Sequence, residues 1–131
     1  MSVRRIEALV DSICDLFGGM YPGSEAYNLR NPLLVKSWAR AGKHEIDEQG
    51  RRVFSSFLNG YKAGLYDIEL KVKGLSRANV SPDSPLSELL RCYQIEGSVA
   101  TKKIVSFLKR ALQDESITEN TLVSYFVDGS I

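Results

Sequence analysis

Met20-Tyr21-Pro22-Gly23-Ser24-Glu25-Ala26-Tyr27-Asn28, running on to Asn31-Pro32, is the stretch on which the reading of this chain turns. It is rich in aromatic, amide and turn residues and poor in aliphatic ones, so it reads as a loop from Met20 to Pro32 that presents groups. Pro22-Gly23 marks a turn within it. Before it, Ile6, Leu9, Val10, Ile13, Leu16 and Phe17 recur at three-and-four spacing between Val3 and Phe17. That spacing predicts a helix with one face in the core, stopped by Gly18-Gly19.

After the loop, Leu33-Leu34-Val35-Lys36-Ser37-Trp38 and Arg51-Arg52-Val53-Phe54-Ser55 read as two short strands. Gly42 and Glu48-Gln49-Gly50 punctuate the polar segment between them, which predicts a hairpin with a long loop. A helix capped by Asn59 is expected to run to Lys73, with Leu65, Ile68 and Val72 inward and Gly74 as its stop. Ser84-Pro85 reads as N-cap and first helical position of the next helix, with Leu86, Leu89, Leu90 and Tyr93 on one face. Glu96-Gly97-Ser98 breaks it. Val99 to Leu112 forms a further helix with Ile104, Val105, Leu108, Ala111 and Leu112 on its apolar side. Thr118 caps a last short one carrying Leu122, Tyr125 and Phe126. The expected fold class is mainly α with a small β-hairpin after the first helix, in one domain over residues 1–131.

Composition limits the function classes. With 17 basic and 16 acidic residues the net charge is +1, and the hydrophobic and charged fractions of 44% and 25% are those of a globular protein. No basic excess points to a polyanion partner. Cys14 and Cys92 fall in helical apolar patterns and read as buried small hydrophobes; a disulfide between them is left open. With His44 as the single histidine and no CxxC pair, no metal site and no cofactor are expected. Glu7 and Asp11 interrupt the start of the chain within two turns, so neither a signal peptide nor a membrane span is expected there. Gly18, Gly19 and Gly23 lack the Lys and Ser/Thr spacing of a phosphate loop.

Four blocks carry a resemblance. The first is Gly18-Gly19 followed by Met20-Tyr21-Pro22-Gly23-Ser24, Tyr27 and Leu29-Arg30-Asn31-Pro32-Leu33-Leu34. The second is Phe54-Ser55-Ser56-Phe57 with Tyr61-Lys62-Ala63-Gly64-Leu65. The third is Ser81-Pro82-Asp83-Ser84-Pro85-Leu86 with Leu89, Leu90 and Tyr93, and the fourth is Glu119-Asn120 with Tyr125. Together they resemble small bacterial and phage lysozyme-like proteins. In those, a first helix ends in Glu-Gly and is followed by aromatic-Tyr-Pro-Gly-Ser, a Tyr and Asn-Asn-Pro-Gly-Asn. The resemblance implies a lysozyme-like helical fold with a hairpin beside the first helix, and the helix from Val99 to Leu112 as an addition.

Lysozyme-like folds cleave glycans with a carboxylic acid that protonates the leaving oxygen, held at a partly apolar helix end beside the cleft. The matching position here is Gly18, which has no proton to give. The resemblance therefore implies a catalytically degenerate domain. Its partners would be peptidoglycan glycan or phage structural proteins, in the cytoplasm or in a virion. Tyr21, Tyr27, Asn28, Asn31 and Trp38 are the candidate glycan contacts, since aromatic faces stack on sugar rings and amides bond hydroxyls. Packing roles for Tyr27 and Trp38, and a turn role for Asn31, are the alternative. An active glycosidase would need a relocated acid, Glu25 first; Asp11, Asp15, Glu45, Asp47 and Glu48 are weaker candidates. A third reading takes Pro85 to Tyr93 and Val99 to Leu112 as a helix-turn-helix, with Thr101, Lys102 and Lys103 opening a recognition helix. The balanced net charge and the absence of Arg or Asn readers in that turn weigh against it. Lys71, Lys73 and Arg77 at one helix end, and Lys102, Lys103, Lys109 and Arg110 on another helix, otherwise read as solvated helix faces.

Overall fold

A computed structural model describes residues 4–36, 46, 50–76 and 78–127. Its elements are α1 (Arg5–Phe17), α2 (Glu25–Asn28), α3 (Phe57–Val72), α4 (Leu86–Arg91), α5 (Ser98–Leu112) and a 3₁₀ turn (Val123–Phe126). The described residues are mostly helical and form no sheet. None of their helices is long and apolar enough to cross a membrane.

The stripe of α1 is buried as its spacing predicts. Ile6, Leu9, Val10 and Ile13 are almost wholly inaccessible, while Leu16 and Phe17 pack at the edge of the core. Gly18 ends the helix in the left-handed region (φ 72°), where a residue without Cβ carries no steric cost. The Gly19 N–H closes back on the Cys14 carbonyl at 2.9 Å. α1 packs against α3 on one side and α5 on the other, and the 3₁₀ turn packs against α1 and α3. Ile68 and Val72 of α3, Leu86, Leu89 and Leu90 of α4, and Ile104 and Leu108 of α5 complete the core with Phe126.

Several helix starts differ from expectation, each for a hydrogen-bonding reason. The 20–32 segment is not loop throughout: Ser24 accepts a bond from the Tyr27 N–H at 3.0 Å and so caps the single turn of α2. α3 begins earlier than predicted because Ser56, not Asn59, is the cap; the Ser56 hydroxyl accepts from the Asn59 N–H at 3.2 Å. α4 starts one residue later, with Pro85 at the cap position and Ser84 instead accepting from the Ser81 N–H. The free N–H groups of Leu86 and Ser87 are taken by the carbonyls of Thr121 and Glu119. Thr118 caps no helix: its hydroxyl accepts from the Asn120 N–H, and the short last element is a 3₁₀ turn in which Val123 and Phe126 are buried while Leu122 before it is 49% exposed.

Of the predicted strands, only isolated antiparallel bridges occur among the described residues, Lys36 with Arg51 and Ile46 with Arg52. The Arg52 N–H donates to the Val35 carbonyl at 3.1 Å, so the two predicted strand segments do approach each other. The rest of the predicted hairpin, including Trp38, His44, Glu45, Asp47 and Glu48, lies outside the described residues, as do Val3 and Arg77. Both cysteines are free thiols. Cys14 is buried as expected, but Cys92 is exposed, because α4 stops at Arg91. Burial, with Asp11 and Asp15 nearby, pushes the Cys14 thiol up to about 11.

The C-terminal segment is fastened to α1 and α5. Arg5 donates to the Tyr125 carbonyl and lies 4.2 Å from the Tyr125 ring centroid. Asp114, just past α5, accepts from the Ser116 hydroxyl, the Tyr125 hydroxyl and the Ser116 N–H; these bonds hold its carboxyl down at about 2. An unfolded Asp protonates near 3.8. The contribution to stability is therefore complete above about pH 4 and is lost as the pH falls towards about 2. The stability advantage of wild type over Asp114→Asn, followed by urea unfolding from pH 6 to pH 2, is expected to shrink across that window. An advantage that stays constant over that range would contradict the assignment.

Candidate functional site

The 18–31 segment folds back over the end of α1. The Ser24 hydroxyl donates to the Gly18 carbonyl at 2.6 Å, and the Tyr21 N–H donates to the same oxygen at 2.9 Å. Ser24 thus serves two elements, stopping α1 and starting α2. This pinning turns Met20, Tyr21 and Tyr27 outward, at 62%, 60% and 43% exposure. Asn28 is exposed beside them. Two phenols, an amide and a thioether are thus exposed within the dozen or so residues after α1.

The position of the expected acid is strained for any side chain. A Cβ on Gly18 would meet the Ser24 Cβ at 3.2 Å, and the φ of +72° is unfavourable for any L side chain. Glu25, the substitute acid, opens α2 with its side chain 66% exposed and ion-paired to Arg51, which is itself only 12% exposed. That pair ties α2 to the segment after residue 50. A general acid needs a sheltered, partly apolar surrounding, and Glu25 stands in solvent with a guanidinium against it. Asp11 accepts from the Tyr61 hydroxyl at 2.7 Å across the α1–α3 interface. Burial first, then that bond, raise the Tyr61 phenol well above its usual range. Asp15 is exposed on α1 and faces α5.

Asn31 is the candidate contact that the structure takes away from the surface. It is 0% exposed. Its Nδ2 donates to the Val35 and Arg52 carbonyls, each at 2.9 Å, and its Oδ1 accepts from the Val35 N–H at 2.9 Å. It therefore organises backbone and touches no solvent. Arg30 and Leu34, on either side, both adopt the left-handed region (φ 50° and 52°), uncommon for such residues. Of the five predicted glycan contacts, Tyr21, Tyr27 and Asn28 are exposed, Asn31 is buried, and Trp38 lies outside the described residues.

The helix-turn-helix residues separate as well. Thr101 is 8% exposed and sits in the core, while Lys102 and Lys103 are exposed. Lys71, read as a solvated cation, is 8% exposed. It pairs with Asp67 at 2.7 Å, one turn earlier on α3, and lies 5.0 Å from the Tyr93 ring centroid; Tyr93 donates its hydroxyl to the same carboxylate. The Asp67/Lys71 spacing of four was the signal for that network. Among the described residues no group of three His, Cys, Asp or Glu side chains is placed to hold a metal. No protein-family model, no curated protein and no solved structure matches the chain.

Proposed function

We propose that this chain is a lysozyme-like domain without a glycan-cleaving acid, and that it binds peptidoglycan glycan through the exposed Tyr21, Tyr27 and Asn28. The observation that carries the reading is the end of α1: the place of the acid is a left-handed glycine with Ser24 packed over it, while exposed phenols stand directly beyond. Such a surface can stack on sugar rings and bond hydroxyls.

The conformations of Arg30 and Leu34 lend the lysozyme-like reading further support. In the related motif both of these positions are Asn, a residue that adopts the left-handed region with little cost. The buried Asn31 and Pro32 are the part of that motif kept here. As a binding domain the protein would serve as a wall-directed or accessory part of a phage or prophage particle.

The test is incubation with purified peptidoglycan. The protein is expected to sediment with the wall while soluble fragments and new reducing ends stay at background. Tyr21→Ala is expected to weaken sedimentation about tenfold, equivalent to ~1.4 kcal/mol, within the range for one aromatic contact. Release of reducing ends would replace this reading with an active glycosidase, and Glu25→Gln would then ask whether that carboxylate is the relocated acid. Neither release nor sedimentation by folded protein would overturn both.

A further inference from the structure

Lys102, Lys103 and Arg110 stand apart from the proposed glycan contacts and from every ion pair among the described residues. At three-and-four-type spacing with Ser106 between them, they project from one face of α5 into an open groove of about 420 Å³ against α1. The opposite wall carries Ser12 and Asp15. Three cations thus face one carboxylate, on a protein whose whole net charge is only +1. Asp15 lines the same groove yet pairs with none of them, so their charge is not neutralised from within. Two lysines and an arginine share this one concavity.

We propose that this α1–α5 groove binds a small phosphorylated organic ligand, of the class of a sugar or polyol phosphate. A phosphoryl dianion accepts several bonds at once, which suits two ammonium groups, a guanidinium fork and the Ser106 hydroxyl. Its volume lies in the range of small-ligand sites. Leu16 and the 70%-exposed Val99 give the carbon skeleton an apolar edge. A nucleic-acid duplex is the less fitting polyanion, because Thr101, which would have to reach a base, is buried in the core. Asp15 opposes the anion and so limits affinity, which gives the site a test of opposite sign.

The experiment is an amide chemical-shift titration of the full chain with glucose 6-phosphate at constant ionic strength. Inorganic pyrophosphate and sulfate are run in parallel. Shifts are expected to concentrate at Ser12, Asp15, Lys102, Lys103, Ser106 and Arg110. Lys102→Ala and Arg110→Ala should each weaken binding about fivefold or more, and Asp15→Asn should tighten it about threefold. Lys62→Ala, which makes the same charge change on the exposed side of α3, should leave it unchanged. All four positions are at the surface, so the variants are expected to fold. The proposal is overturned if sulfate reproduces the shifts at equal concentration, if Lys62→Ala weakens binding as much as Lys102→Ala, or if Asp15→Asn has no effect. Pyrophosphate binding as tightly as glucose 6-phosphate would reject the organic-ligand class, and tighter binding of duplex DNA would move the assignment to nucleic acid.

Discussion

Gly60→Ala is expected to destabilise the protein by about 3 kcal/mol or more, the upper end for overpacking a closed contact. Gly-to-Ala in an exposed helix interior ordinarily gains about 1 kcal/mol, so the expected sign is reversed. A Cβ at residue 60 would lie 1.8 Å from the Arg30 carbonyl oxygen, 2.9 Å from its carbon and 3.0 Å from the Pro32 Cδ. These are backbone and ring atoms, with no flexible end to swing aside. Arg30 cannot easily withdraw either, since its N–H is bonded to Tyr27 and the next N–H to Ala26. Gly64→Ala offers the comparison. Its Cβ would meet Leu33 methyl groups at 3.2 Å, and a side chain can give by a few tenths of an ångström. The expected loss there is about 1 kcal/mol. Urea unfolding of both variants decides the matter: a Gly60→Ala midpoint at or above wild type would contradict the backbone contact between α3 and residues 30–32.

Asn31→Ala is the second large effect, expected to cost about 3 kcal/mol. The substitution removes three hydrogen bonds in a site with no access to water. The Val35 N–H and the Val35 and Arg52 carbonyls are its partners. The Val35 carbonyl keeps its bond from the Arg52 N–H, and each buried group left without a partner costs about 1–3 kcal/mol. Asn31→Asp is expected to be nearly as damaging, because a carboxylate cannot donate to the two carbonyls that Nδ2 now serves. The measurement separates two roles for this residue. A glycan contact would lower wall binding at unchanged stability. The buried position predicts a large fall in the unfolding midpoint, with the wall binding of the still-folded fraction retained.

The parts of this structure that were legible in the sequence are those specified by neighbouring residues. The α1 stripe, its Gly18 stop, the Gly74 stop of α3 and the apolar face of α5 each depend on spacing within a few turns. The helix starts were less legible, because two capping residues often stand close together. Ser56 and Asn59 are both good caps, and in the folded chain it is the Ser56 hydroxyl that takes the Asn59 N–H. Ser84 was passed over because the N–H groups it might have served are bonded by residues 119 and 121, remote in sequence. Ser24 before Glu25 was a local capping signal, overshadowed by Pro22-Gly23. Of the site, the exposure of Tyr21 and Tyr27 follows from a loop-like composition. The burial of Asn31 does not, since it depends on residue 52 arriving beside it. The α1–α5 groove could not be foreseen from either helix alone: Lys102, Lys103 and Arg110 read as a solvated face until Asp15 and Ser12 are set opposite them.

The fastening of Arg5 to Tyr125 also has a meaning in time. The first helix is made well before α5 and the buried Phe126, which are among its partners. At about 5–20 residues per second, synthesis from residue 5 to residue 126 takes roughly 6–24 s. Until α5 and Phe126 follow, Ile6, Leu9, Val10 and Ile13 have only part of the surface that finally covers them, the part α3 supplies. The contacts that complete this core thus join residues far apart in the chain, a pattern that slows folding.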